Sequence, residues 1–293
     1  MLKRITLLCL LTTLPALSHT GPHQAPQNSS DFGWALLSSM ALLITVLVYA
    51  RRRRLLLCLL ALLTPALALA VKNQVNIRLE GDNRVIQSNG VPQHEVGPRR
   101  GNPFQIAAQH YQFRVPVAPV EANQLTPVGM NRFGVAIDGV PFDPATAEFW
   151  QGDRRWNVNA FAVDLGIDDY NAHIQPNGAY HYHGIPWNYQ EQKLIGYAAD
   201  GFKIYNPLCE GTRVKPSYHL RPGNRPYDSP GGTYDGTYTA DFEYLRGRGD
   251  LDECNGHRVN GEYHYHLTTA YPFVPRYWRG EPDFSFFKHP PRR

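Results

Sequence analysis

The sequence predicts a mainly β domain, compact and exported, preceded by N-terminal transmembrane or signal segments. Three observations carry that reading. Of 30 leucines, 21 lie in residues 1–70; the rest of the chain is rich in Tyr, Phe, Val, Gly, Pro and Asn, the material of strands and turns. Asp-Gly or Asn-Gly pairs recur at 138, 177, 200, 235 and 260, and such pairs are hairpin-turn signals. The positive charge is also concentrated at the front. Lys3, Arg4 and Arg51 to Arg54 face only Asp31 there, which leaves 23 cations against 24 anions downstream. A nearly neutral domain lacks the basic surface that phosphate requires, so nucleic acid is excluded as a partner.

The elements follow in chain order. Ile5 to Leu17 behind Lys3 and Arg4 is short for a span and has the form of a signal core. Trp34 to Ala50 carries no charge and reaches the lower limit for crossing a bilayer. Leu55 to Ala70 follows four arginines and ends Ala66-Leu67-Ala68-Leu69-Ala70, which is signal-peptide grammar with small residues at −3 and −1. Cys58 lacks the small residue that a lipoprotein signal places before its cysteine. The positive-inside rule puts both basic groups in the cytoplasm. Residues 1–70 are then retained as membrane anchors, or cleaved after Ala70, or begin at Met40; every version exports residues 71–293.

Residues 71–129 form a leader, with a strand at Val75–Leu79 and an extended edge segment over Val115–Pro127. The main domain covers 130–280, followed by a tail over 281–293. Its expected strands are Phe133–Ile137, Phe161–Leu165, Ala179–His183, Leu194–Ala198, Lys203–Tyr205, Thr233–Phe242 and Glu262–Leu267. Helix signals are few: Asp143 as N-cap and Pro144 at the first position predict a short helix over Pro144–Trp150. Cys209 and Cys254, the two cysteines of the domain, predict one disulfide in an oxidising compartment, worth roughly 3–5 kcal/mol. The competing assignment is a pair of thiolate metal ligands.

One pattern occurs twice. Asn177-Gly178-Ala179-Tyr180-His181-Tyr182-His183 and Asn260-Gly261-Glu262-Tyr263-His264-Tyr265-His266 agree at six of seven positions. That implies an internal duplication or two strands with one task. On a strand, alternate side chains share a face. His181 and His183 therefore point together, as do His264 and His266. A three-residue turn over Pro176-Asn177-Gly178 sets His173 opposite His181; a two-residue turn over Asn260-Gly261 sets His257 opposite His264. If the hairpins are neighbours, four to six imidazoles converge. Neutral imidazoles suit Zn(II) or Cu(II). Asp or Tyr could complete the shell, while Tyr180, Tyr182, Tyr263 and Tyr265 point away from the histidines. The bland alternative is a half-buried strand with aromatic cross-strand pairs.

Tyr180-His181-Tyr182-His183 before Gly184-Ile185-Pro186, then Gly196-Tyr197-Ala198-Ala199-Asp200-Gly201-Phe202, and later Gly249-Asp250-Leu251-Asp252-Glu253-Cys254-Asn255-Gly256, resemble the YHYH domain family of exported proteins. Asp138-Gly139-Val140-Pro141-Phe142-Asp143, Asn171-Ala172-His173, Asp235-Gly236-Thr237-Tyr238 and Tyr271-Pro272-Phe273 extend the resemblance over roughly 130–280. It implies a domain type without a settled activity, and it favours His173, His181 and His183 over His257 and His266.

Asp200 has two functional readings, orienting a ligand histidine or acting as a general base, beside the plain one of a turn residue. Asp250-Leu251-Asp252-Glu253 hints at Ca²⁺, but Cys254 and Gly261 depart from an EF-hand loop. Three functions remain open. The first is binding of Zn or Cu by the two His-x-His strands; the second is a metal-dependent hydrolase. The third is a metal-free recognition module using Trp150, Trp156, Trp187 and Trp278 toward a glycan or protein. A serine or cysteine nucleophile with a paired base is not visible.

Overall fold

The computed structural model describes residues 40–45, 47–51, 71–96, 101–189, 194–209 and 211–289. The chain divides into two units, 1–68 and 69–293. In the first, residues 40–45 and 47–51 are helical. No helix among the described residues is long and apolar enough to cross a membrane. The segments Ile5–Leu17 and Leu55–Ala70 lie outside the described residues, as does most of the front half of Trp34–Ala50.

The second unit is mainly β, with 3₁₀ turns as its only helical elements among the described residues. Its strands are β1 (Val75–Glu80), β2 (Asn83–Ser88), β3 (Tyr111–Pro116), β4 (Glu121–Pro127), β5 (Gly134–Ala136), β6 (Pro141–Phe142), β7 (Ala172–Ile174), β8 (Tyr180–Tyr182), β9 (Leu194–Ala198), β10 (Lys203–Tyr205), β11 (Leu208–Cys209), β12 (Thr212–Arg213), β13 (Tyr218–Leu220), β14 (Phe242–Tyr244), β15 (Gly256–Val259), β16 (Glu262–His266) and β17 (Tyr277–Gly280). The main sheet has eight strands in the order β15-β16-β10-β9-β5-β6-β8-β7.

That order is a palindrome. Hairpin β5–β6 joins β8 in parallel, and β8 pairs with β7 antiparallel. Hairpin β9–β10 joins β16 in parallel, and β16 pairs with β15 antiparallel. The two halves meet where β5 pairs with β9, Gly134 against Ala198 and Ala136 against Gly196 around Val135 and Tyr197. Gly134-x-Ala136-x-Asp138-Gly139 thus corresponds to Gly196-x-Ala198-x-Asp200-Gly201, and the pairing is symmetric about its centre. Only glycine fits there: a Cβ on Gly134 would lie 2.5 Å from the Tyr197 carbonyl oxygen, and one on Gly196 2.3 Å from that of Val135.

The core lies against this sheet. Phe133, Val135, Phe142, Tyr182, Ile195, Ile204, Tyr265 and Trp278 are fully buried. The leader is part of the same core, since Ile86, Phe113, Val115 and Val128 belong to it and β4 pairs with β17. So is the start of the tail: Phe286 is buried and stacks on Phe113 at 4.6 Å.

Three expected elements do not form. Phe161–Leu165 is a chain of bends, held by local bonds from Ala162 N to Asn159 O and from Leu165 N to Val163 O. Pro144–Trp150 is not helical until its last residue, Trp150, which opens a 3₁₀ turn through Gly152. The Asn157 amide donates to the carbonyls of Thr146 and Glu148, and Val158 N donates to Glu148 O, so this stretch is committed to a neighbouring segment. Thr233–Phe242 is broken by a 3₁₀ turn at Thr239–Asp241. The buried Asp241 carboxylate accepts from Gly236 N, Tyr238 N and Arg225, which binds the loop to a charge instead of a ladder.

Two candidate metal centres

Each His-x-His strand is positioned by one repeated local device. Asp168-x-x-Asn171-x-His173 precedes β8, and Asp252-x-x-Asn255-x-His257 precedes β16. Asp168 Oδ1 accepts from the amides of Tyr170 and Ala172; Asp252 Oδ1 accepts from those of Cys254 and Gly256. Asn171 and Asn255 take left-handed φ of 56° and 57°, a conformation that asparagine tolerates better than most side chains. Their carbonyls receive His183 N and His266 N. The Asp252 carboxylate that hinted at Ca²⁺ is thus occupied with protein donors.

The tyrosines fill the other face. Tyr180 OH donates to Asp168 at 2.5 Å and Tyr182 OH to Asp138 at 2.8 Å. Tyr263 OH donates to Asp252 at 3.0 Å and Tyr265 OH to Asp200 at 2.5 Å. Four buried phenols on four acids fix the strand faces. Asp200 is therefore an anchor for Tyr265 and also accepts from Gly280 N at 2.8 Å. Burial raises its carboxyl to about 6, and that of Asp138 also rises by burial.

With the tyrosines held, the imidazoles converge. His173 pairs with His181 and His257 with His264 across their hairpins, in the expected registers. In the first triad His181 Nε2 lies 3.0 Å from His183 Nε2, which lies 3.3 Å from His173 Nε2. Three donors on one ion with bonds of about 2.05 Å would be separated by about 3.3 Å in a tetrahedral shell and about 2.9 Å at right angles. His181 and His183 are 3% and 2% exposed. Burial, and after it neighbouring imidazoles, depresses the basicity of both, so both are neutral donors. His173 Nδ1 donates to Leu165 O at 3.0 Å, which aims its Nε2 inward. Asp143 N donates to Tyr182 O, beside His183, and its carboxylate is ion-paired with Lys288 at 2.5 Å, with Oδ1 buried and without a hydrogen-bond partner.

The second triad repeats the ring geometry, with centroids 4.9–5.0 Å apart among His257, His264 and His266. His266 Nδ1 donates to Asn206 O at 2.5 Å, while its Nε2 is buried without a partner. Burial pushes its basicity down to about 3.

Two expectations are corrected at this end. Cys209 and Cys254 form no disulfide. Cys254 is 1% exposed, its thiol pushed up by burial, and Cys209 Sγ instead lies 3.5 Å from His257 Nε2. A cysteine beside a histidine is therefore present, which the sequence alone did not reveal. Cys209, His257 and His264 bring one donor atom each to within 4.8 Å of one another, as do His173, His181 and His183.

The hairpins are also not neighbours. Strands β6, β5, β9 and β10 separate β8 from β16, so the six histidines form two triads at opposite ends of the sheet. A family model described as "YHYH protein" matches residues 112–280. The chain belongs to the YHYH family. Its match begins inside β3, earlier than the motifs suggested, in agreement with the leader's place in the core. No curated protein and no solved structure matches this YHYH protein.

The tryptophans divide. Trp156 and Trp278 are core residues, whereas Trp187 is exposed. A cleft of about 640 Å³ lies against the second end, lined by His264, Tyr205, Lys203, Arg258 and Glu262 among others. Sequence reasoning did not mark Asp143 or Cys209 as neighbours of the histidines, because each lies just beyond a strand that joins the hairpin in parallel over a long connection, β6 for Asp143 and β10 for Cys209.

Proposed function

We propose that this YHYH protein is an exported domain that binds Zn or Cu through its two histidine triads. The observation that supports it is the convergence of three Nε2 atoms at 3.0 and 3.3 Å in the first triad. A hydrogen-bonded pair of imidazoles is a common core arrangement; three whose donor atoms lie within 4.8 Å of one another, two of them buried, are what a cation would satisfy. Residues 1–70 would deliver the domain across the membrane, as anchors or as a cleaved signal. The second reading, a metal-dependent hydrolase, draws on the cleft beside His264, which could admit a substrate to an open position on the ion.

Elemental analysis of the purified full chain is the test, with a His181→Ala/His183→Ala variant beside it. The expected result is Zn or Cu bound to the wild type, with the first-site ion lost in the variant. A wild-type chain that copurifies with neither metal and takes up neither would sink the reading.

A further inference from the structure

The two halves of the sheet share a backbone plan but not a donor set. In the first half the residue that follows β6 is Asp143, which adjoins His183. The corresponding residue in the second half is Tyr205, whose ring centre lies 4.7 Å from that of His264. No cysteine falls between Phe133 and His183. The second half has two, Cys209 and the buried Cys254, and one of them reaches the histidines: after β10 the chain turns into β11, which ends in Cys209 beside His257. Nitrogen donors alone therefore converge at one end, nitrogen donors and a sulfur at the other. The second set is also the more open, with Cys209 and His257 both part-exposed and His264 lining the cleft.

We propose that Cys209 is a metal ligand, and that with His257 and His264 it makes a thiolate site selective for softer ions than the all-nitrogen first site. This deepens the proposed function and rests on its second-triad part. Thiolate favours thiophilic ions such as Cd(II) and Cu(I), whereas a set of imidazoles does not discriminate in that direction to the same degree. The ring of His266 packs against both of the others, while the three donor atoms that converge are those of Cys209, His257 and His264. Binding requires loss of the Cys209 proton to solvent as the metal–sulfur bond forms; no electron is transferred.

The probe is Co(II), added to the reduced, metal-free full chain, because cobalt bound to thiolate gives a near-ultraviolet charge-transfer band that cobalt bound to imidazole does not. The wild type should show that band. Cys209→Ser should abolish it and weaken second-site Co(II) affinity by at least about tenfold, while Cys254→Ser keeps it. His181→Ala/His183→Ala should lower the number of bound ions by one and leave the band intact. Cd(II) should displace the thiolate-bound cobalt first. Cobalt bound at the second end without the band, a band that survives Cys209→Ser, or one lost only with Cys254→Ser would overturn the assignment of Cys209. If no ion binds at either end, the broader metal reading falls as well. A circular-dichroism spectrum matching wild type confirms that the serine variant is folded.

Discussion

Removing the Tyr265 hydroxyl tests whether the buried phenol–acid pairs hold the sheet faces in place. In Tyr265→Phe, Asp200 loses its 2.5 Å donor and keeps the amide of Gly280, while the amide of Arg279 loses the hydroxyl oxygen it donates to at 2.6 Å. A hydrogen bond to a charged group contributes about 1.5–3 kcal/mol, and an orphaned amide costs about 1 kcal/mol more. The expected loss is about 3 kcal/mol, or a fall in Tm of roughly 6–12 °C for a unit of this size. The pH dependence has a definite sign. Burial lifts the Asp200 carboxyl from 3.8 to about 6, so its contribution is full below the unfolded value and is lost as pH rises through about 6. Tyr265 is the first of the groups that pull this value back down. Without it the carboxyl rises further, and the variant's deficit should be larger at pH 8 than at pH 5. Urea unfolding of the full chain at the two pH values measures both quantities. A loss below about 0.5 kcal/mol, or a deficit that grows on acidification, would refute the anchoring role.

Other expectations concern the imidazoles and the pseudo-twofold contact. His183→Ala should weaken first-site metal affinity by about 100-fold or more, measured by competition with a chromophoric chelator, and leave the second site unchanged. In the metal-free chain His181, His183 and His266 have lowered basicity. Their stabilising contribution is present above 6.5 and lost on acidification, so the urea midpoint should fall from pH 7 to pH 5 despite the opposite trend of Asp200; a midpoint rising over that range would contradict it. Gly134→Ala should cost about 3 kcal/mol, since its Cβ would press on the β9 backbone at Tyr197 and Ala198 and on the Ile204 side chain, and a melting curve like wild type would show that the strands can spread.

Much of the site was legible because hairpin geometry is local. Asn260-Gly261 fixes a two-residue turn and Pro176-Asn177-Gly178 a three-residue one, so the opposed histidines follow from sequence alone. The alternation of Tyr and His likewise assigns each side chain to a face. Partners that arrive from outside a hairpin were not legible. Asp143 and Cys209 follow strands, β6 and β10, that are placed by parallel pairings, whose registers leave no turn signature. The repeated Gly-x-Ala-x-Asp-Gly hairpins were present in the sequence, but their offset of 62 differs from the 83 of the histidine motifs, so no single period displays the whole duplication. Thr233–Phe242 misled for a different reason: its strand-forming residues are overruled by the buried Asp241 charge, which collects backbone amides into a turn.

The β5–β9 seam has the form of a contact between two copies of one half-length chain. Two identical subunits joined at such a seam would be obliged to carry the same ligands at both outer edges, because any substitution would appear twice. Written once into a continuous polypeptide, the same architecture is released from that constraint. One edge can gain a sulfur while the other keeps to nitrogen, and the shared centre need not change.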